Sequence, residues 1–341
     1  MASRADPIRS VDRFLETELE ARALALAFSL GLVDRLAGEG AVARSECLAM
    51  TGMPEATSGL FMQLLAGNDV IRAGDTVRLS PAFRAALAYR DLLEARLWFL
   101  NLVAPDIHGL FPELLRDVPE FMARAKVFDL FRYDRCMEVT PDNLAATARW
   151  VDYTTVLTRY EAPACLDRLD LDGSRRLMDV GGNSGEFARQ ACARFAGLDA
   201  TVFDLPVVCA LGRRHVAASA SAGRVTFHDG DLRADALPAG HDVISFKSVL
   251  HDWPPEHAAA FLGKAATALE PGGRLIIFER VPLDLRGASP VYSMVADLVF
   301  LPFFRTPDFY VKHLAQLGFV GISVERVELD TPFCLVTARK P

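Results

Sequence analysis

In the second half of this chain, polar and charged residues stand where short apolar runs end. Asp179 and Gly181 follow the run 176–180, Asp204 follows 200–203, and Asp229 and Asp231 follow 224–227. Lys247 and His251-Asp252-Trp253 follow 242–245, and Glu279 follows 274–278. In an open sheet of parallel strands, ligands bind at the carboxyl ends, so these residues form one candidate site. The stretch 177–185 reads as a strand, a glycine turn and a helix starting near Glu186. Its glycines do not fit G-x-G-x-x-G, the spacing of a nicotinamide-dinucleotide turn. They fit D-x-G-x-G-x-G from Asp179 to Gly185, with Asn183 in place of the middle glycine. Asparagine tolerates a left-handed backbone, so the turn survives the exchange. A carboxylate at Asp204 suits a two-point hold on ribose hydroxyls. The turn itself carries no cation of the kind a phosphate would require.

These residues need a sheet to hold them. After Arg175 the text alternates between strands (176–180, 200–203, 224–227, 242–245, 274–278) and helices (186–195, 206–217, 255–269, 307–317). Alternation of this kind specifies a parallel sheet covered on both faces. The tail differs: strands at 321–327 and 333–338 have no helix between them and read as a terminal antiparallel hairpin. The expected fold is therefore α/β, a Rossmann-like sheet over 171–341, preceded by a helical domain over 1–170. In that first half, 12–36 reads as helix with a break at Gly31, and 21–32 is apolar nearly all round. Such a helix must be covered on several sides, by a partner subunit or by the chain's own second domain. Helices at 46–51 (opened by Ser45) and 55–66 lead to a hairpin around 73–75, a helix, turn, helix and wing. That pattern usually implies DNA binding. The second helix has no Lys or Arg to track phosphates, so it reads as a packing module. Residues 83–168 are mostly helical and rich in large apolar side chains, among them Phe128, Leu130, Phe131 and Tyr133. Most are core, and some could line a pocket for a flat apolar substrate.

The bulk properties exclude several classes. Of 341 residues, 51% are apolar, enough for a sizeable core, and 37 basic against 44 acidic side chains leave a net charge of −7. That balance argues against a nucleic-acid partner. No run approaches the ~18 apolar residues of a membrane span. Residues 1–13 lack an apolar signal core, so a cytoplasmic location is expected. The six cysteines (Cys47, Cys136, Cys165, Cys192, Cys209, Cys334) include no CxxC pair. Reduced thiols are expected, with neither a zinc site nor a disulfide framework.

Four segments carry a resemblance: 177–185, Phe203-Asp204-Leu205-Pro206, Gly230-Asp231-Leu232, and the K-x-x-x-H-D-W motif at 247–253. Together they resemble the S-adenosylmethionine-dependent O-methyltransferases of the caffeate/hydroxyindole and bacterial aromatic-polyketide type. The resemblance covers nearly the whole chain. It implies a class I methyltransferase domain with an N-terminal winged-helix domain that makes a homodimer and covers the substrate. The implied cofactor is S-adenosyl-L-methionine and the implied acceptor a small aromatic molecule of secondary metabolism. Gly181 would meet the cofactor's amino-acid end, Asp204 the ribose with Leu205 beside it, and Asp231 and Leu232 the adenine. Lys247 would contact the methionine end, largely through its backbone. His251 would be the general base and Glu279 its orienting carboxylate. A phenol ionises near pH 10 in water, so a neutral histidine held against the hydroxyl can take its proton during attack. Asp252 is expected to make structural hydrogen bonds. The chain departs from the family at Phe304, where relatives carry a glutamate before Arg-Thr, so a second orienting carboxylate is missing there. Phe300 and Phe304 read equally as pocket wall or core, and Tyr153 is a candidate to reach the acceptor. Thr154 and Thr158 fall near positions beside the cofactor. The alternatives are C- or N-methylation on the same scaffold, or a cofactor-binding relative that has lost catalysis. Val291 to Asp297 contains no histidine to join His251 and Asp252 as ligands, so no metal is expected.

Overall fold

The computed structural model describes residues 6–283 and 291–341. They form two compact units, one of 6–121 with 291–299 and the other of 122–283 with 300–341. The expected boundary near 171 marks where strand–helix alternation begins. The compact units follow packing instead, and 122–170 belong with the sheet.

The first unit opens with helices Pro7–Asp12, Glu18–Ser29 and Leu32–Glu39 rather than one helix over 12–36. The chain breaks after Asp12 because Phe14 and Leu15 turn fully inward, Phe14 meeting Phe83 edge-on at 4.9 Å. A second break falls at Gly31, whose φ of 71° suits glycine. Helix Glu18–Ser29 buries Ala21, Ala23, Leu24 and Ala27 and leaves Leu19 and Leu26 exposed. Helix Arg44–Thr51 starts one residue ahead of Ser45 and has no side-chain cap. Helix Glu55–Gly67 buries Phe61, Met62 and Leu65. The wing has three strands, because β1 (Val42–Ala43) pairs with β3 (Thr76–Leu79), which also pairs with β2 (Ile71–Ala73). After the wing, buried Ser80 accepts from the Phe83 N–H at 3.0 Å and caps helix Pro81–Ala86. Ser80→Ala is expected to destabilise the chain by about 1 kcal/mol in urea unfolding, the worth of a lost N-cap.

The second unit holds a seven-stranded sheet. Its strands are β4 (Arg176–Val180), β5 (Asp199–Asp204), β6 (Val225–Asp229), β7 (His241–Lys247), β8 (Leu269–Arg280), β9 (Val320–Glu328) and β10 (Pro332–Arg339). Their order is β6-β5-β4-β7-β8-β10-β9. The first five run parallel, while β10 pairs antiparallel with both β8 and β9, as the tail pattern predicts. β8 begins at Leu269, earlier than expected, because His241 pairs with Leu269 ahead of a register shift. Side chains alternate between faces. Met178, Val180, Ile244, Phe246, Leu275 and Ile277 enter one apolar cluster with Phe261, Leu262 and Tyr310. Leu177, Val243, Ile276 and Phe278 enter the other with Phe187 and Ala188. The chain moves outward from β4 to one side through β5 and to the other through β7. Their carboxyl ends therefore flank a topological switch point, where a doubly wound sheet opens a ligand crevice. Among the described residues, no helix is long and apolar enough to cross a membrane. The six cysteines are free and buried.

Candidate active site

β4 ends in a turn that bends through three left-handed residues, Gly181 (φ 65°), Asn183 (φ 54°) and Gly185 (φ 76°). At Gly181 a Cβ would stand 2.7 Å from Val249 Cγ2, so only glycine fits against β7's extension. Asn183 tolerates its conformation as expected of an asparagine, and its side-chain oxygen accepts from Ser184 N–H at 2.7 Å. The Asn183 N–H donates to Asp204 Oδ2 at 2.8 Å, and the Leu205 N–H donates to Oδ1 at 2.7 Å. These two bonds fix the half-buried Asp204 carboxylate beside the turn, each oxygen keeping a lone pair for a further donor. Burial pushes its pKa up to about 6 against the pull of the two N–H groups. Below the turn, Asp179 Oδ1 accepts from Ser245 Oγ at 2.7 Å, while no donor among the described residues meets Oδ2. Burial lifts the Asp179 carboxyl to about 7.

The flanks are less simple. Arg233 donates to both oxygens of Asp231 at 2.8–3.0 Å and holds its carboxyl below the usual range. Leu232 is buried, its carbonyl accepting from Lys264 Nζ at 2.6 Å. Leu205 packs against a cluster containing Trp150, Val207 and Val208, joined by Phe131 and Tyr133. The Lys247 side chain donates to Thr158 Oγ1 at 3.0 Å and to the buried Glu161. Glu161 also accepts from Arg280, which reaches Ser248 Oγ at 3.1 Å. Lys247 thus has its ammonium engaged with helix Pro141–Leu166, leaving its backbone as the part available at the strand end. Of the neighbouring threonines, Thr155 Oγ1 bonds Ser184 Oγ in the turn at 2.6 Å, while Thr154 bonds back to its own helix. Glu161 and Thr155 were missed in the sequence, where helical spacing gave no reason to single them out.

His251 lies in the 3₁₀ turn Leu250–Asp252 and is 6% exposed. Fully buried Glu279 organises it. Its Oε1 accepts from the Val249 and Leu250 N–H groups at 2.8 and 2.7 Å, and its Oε2 lies 2.5 Å from His251 Nδ1. With Nδ1 held by a carboxylate, Nε2 is the nitrogen left for proton transfer. Arg305 clamps the turn by donating to the carbonyls of Leu250 and Trp253. Burial alone would lower the His251 pKa, but the Glu279 and Asp252 carboxylates outweigh it and raise it above 6.5. Phe304 is buried with its ring at 82° to the imidazole, centroids 5.7 Å apart. Phe300 meets Phe131 edge-on at 5.8 Å. Tyr153 stands half-buried on helix Pro141–Leu166. Tyr133 stacks on Trp253 at 5.3 Å and donates to Asp252 Oδ2 at 3.1 Å. His251, Glu279 and Phe304 are thus brought together, and Tyr133 joins them unforeseen from within the aromatic-rich stretch.

The set fits a donor of the adenosyl-sulfonium kind. The left-handed turn lets backbone approach, the Asp204 carboxylate has spare capacity to accept from ribose hydroxyls, and an Asp179 oxygen unmatched among the described residues lies beneath the turn. A family model described as an O-methyltransferase domain matches residues 142–319. The 3-hydroxy-5-methyl-1-naphthoate 3-O-methyltransferase of Streptomyces sahachiroi is 40% identical over 130 residues, covering 38% of this chain and 37% of its own. Aclacinomycin 10-hydroxylase RdmB of Streptomyces purpurascens is 36% identical over 176 residues, covering 50% and 46%. The chain spans about half the length of the curated relatives it matches. The crystal structure of human N-acetylserotonin methyltransferase in complex with its methyl donor superimposes with a TM-score of 0.74 at 20% identity, covering 100% of this chain and 99% of that one. At that identity the likeness is one of fold.

Proposed function

The chain belongs to the O-methyltransferase family, and from that premise we propose that it transfers a methyl group from S-adenosyl-L-methionine to a hydroxyl of a small aromatic or polycyclic metabolite. The observation that carries the reading is the buried pair formed by His251, in the turn after β7, and Glu279, on β8. When bound, the cofactor supplies a methyl group already activated on a sulfonium. The chain's part is to hold donor and acceptor in line and to take the acceptor's proton. Gly181, Asp204 and Leu205 hold the amino-acid and ribose ends, Asp231 and Leu232 flank the adenine, and Lys247 offers its backbone at the methionine end. His251 Nε2 receives the phenol proton as general base, with Glu279 on Nδ1 stabilising the imidazolium. Phe304, Phe300 and Tyr153 line the acceptor's side. Residues 171–341 carry the transfer. Residues 1–170 serve dimerisation and cover the substrate, the first role supported by Leu19 and Leu26, which stay exposed on a helix that buries Ala21, Ala23, Leu24 and Ala27. Free cysteines support a cytoplasmic setting.

Titration calorimetry with S-adenosyl-L-methionine, followed by methyl transfer to a panel of phenols and naphthols, tests this reading; no binding would end it. The base must be neutral to act, and the pKa of His251 is raised. Turnover should therefore be low at acid pH and climb through a single limb lying above 6.5, the ordinary histidine value. A flat profile between pH 6 and 9 would remove His251 from that role. A second reading, C- or N-methylation or a chain that binds the donor without transfer to oxygen, is favoured by Phe304 in place of the family carboxylate and by the hydroxylase among the relatives. Binding without methyl transfer to any phenol would select it.

A further inference from the structure

Phe304 leaves His251 without one of the carboxylates its relatives use, yet the imidazole is not held from one side only. Building on the general-base reading above, we infer that Tyr133 is a positioning residue for His251 and acts through Asp252. Asp252 Oδ1 stands 3.3 Å from His251 Nε2, and its Oδ2 accepts from Tyr133 OH at 3.1 Å. The Tyr133 ring cannot readily turn away. It lies on Trp253 at 5.3 Å and 18°, and against Trp150 at 5.7 Å. Trp253 is itself tied through its carbonyl to Arg305 and packed edge-on against Phe261 at 5.4 Å.

The aromatic stack therefore fixes the phenol, the phenol fixes one carboxylate oxygen, and the other oxygen is left facing the catalytic nitrogen. Carboxylates then stand at both ring nitrogens, Glu279 at Nδ1 and Asp252 at Nε2. A third of the Asp252 side chain remains open, so an acceptor hydroxyl can approach Nε2 alongside it. When that hydroxyl gives its proton to Nε2, the new N–H has a carboxylate oxygen to share it with. The second carboxylate comes from the residue after the histidine, where Phe304 has displaced the usual one.

The charged and titratable groups around this pair come from several elements; Asp204 and Cys136 act on Tyr133, and His257 packs on Trp253 at 6.1 Å. Glu279 and Arg280 come from β8, and Tyr133 from the 3₁₀ turn Tyr133–Met137. Arg305 lies at the carbonyls of Leu250 and Trp253, and Arg233 lies over the Trp253 ring at 5.8 Å. Tyr310 shares the apolar cluster below. Arg280 opposes the charge of His251, and its cationic form is present throughout the range in which a histidine titrates. The remaining lever on His251 is Asp252, whose carboxyl burial raises and whose hydrogen bond from Tyr133 lowers. Loss of that bond makes Asp252 protonate more readily and frees it from its place opposite Nε2. Both effects strip charge from beside His251.

The test is a pH titration of the seven histidines by NMR, in the full chain labelled with ¹⁵N-histidine and free of ligand. His251→Ala assigns the signal. Tyr133→Phe keeps the ring on Trp253, and Asp252→Asn reads the same coupling without touching the stack. Each variant should move the His251 titration to lower pH, and the double variant should move it no further than Asp252→Asn alone. A His251 titration unmoved or raised in Tyr133→Phe overturns the proposal, as does an additive double variant. The general-base reading falls separately, if His251→Ala retains full methyl transfer to a phenol that wild type accepts, whatever the titration shows.

Discussion

Replacing His251 by alanine should lower kcat for methyl transfer by ~10²–10⁴-fold, the usual worth of a positioned general base, and leave S-adenosyl-L-methionine affinity unchanged. The imidazole meets Glu279, Asp252 and Phe304 rather than the turn at Gly181 or the Asp204 carboxylate. Its loss therefore falls on the acceptor's proton and not on the donor's grip. The rate should not vanish. Alignment of two bound reactants is worth an effective molarity of ~10⁵–10⁸ M, and the alanine variant keeps that alignment. The pH profile separates the two contributions. Wild type should gain rate through the histidine limb, whereas His251→Ala should lose that limb. It should instead rise only toward ~10, where a phenol ionises by itself. A variant with wild-type kcat at neutral pH would mean that approach alone carries the reaction. Methyl transfer from labelled donor between pH 6 and 10, with calorimetry on the same samples, reads both outcomes.

The parts of this site that were legible in the sequence are those set by local pattern. A glycine turn after an apolar run, a carboxylate at the next strand end and a histidine after the fourth strand need only strand periodicity and the rule that parallel sheets bind at their carboxyl ends. β4 matches the expected 176–180, and helix Pro206–Ala217 matches its expected span. What stayed hidden depends on distant chain segments. Tyr133 reaches Asp252 across more than a hundred residues, and Glu161 reaches both Lys247 and Arg280 from one helix. Nothing in the spacing around Tyr133 distinguishes it from Phe128 or Phe131, because an aromatic run reads the same whether it fills a core or carries a hydroxyl into a site. The non-helical stretch between Asp12 and Glu18 was hidden for a related reason. Phe14 and Leu15 satisfy helical periodicity, and only the packing of Phe14 on Phe83 pulls them out of it. Phe304 was legible as a departure but not as a contact. Its ring stands T-shaped to the imidazole.

Asp204→Asn should weaken S-adenosyl-L-methionine binding by about one to two orders of magnitude, with most of the fold's stability intact. A hydrogen bond to a charged acceptor contributes ~1.5–3 kcal/mol against ~1 for a neutral one, and the proposed hold takes two ribose hydroxyls. The exchange is also felt inside the turn. The carboxylate accepts from the N–H groups of both Asn183 and Leu205, and an amide offers only one oxygen for the two. Its NH₂ must then face a donor, so the turn bearing Gly181 loosens as the ribose contact is lost. Wild type carries its own control. The Asp204 pKa lies near 6 because burial disfavours the charge, and only the ionised form can accept from two hydroxyls as well as two N–H groups. Affinity in wild type should therefore fall as pH drops through about 6, with proton release on binding near that pH. In Asp204→Asn the limb near 6 should disappear, leaving weaker binding. Calorimetry in two buffers of different ionisation enthalpy measures affinity and proton release together. If the asparagine variant bound as tightly as wild type at pH 7.5, the ribose hold would have to be assigned elsewhere. The Asp179 carboxyl beneath the turn, with one oxygen unmatched among the described residues, would then be the next group to remove.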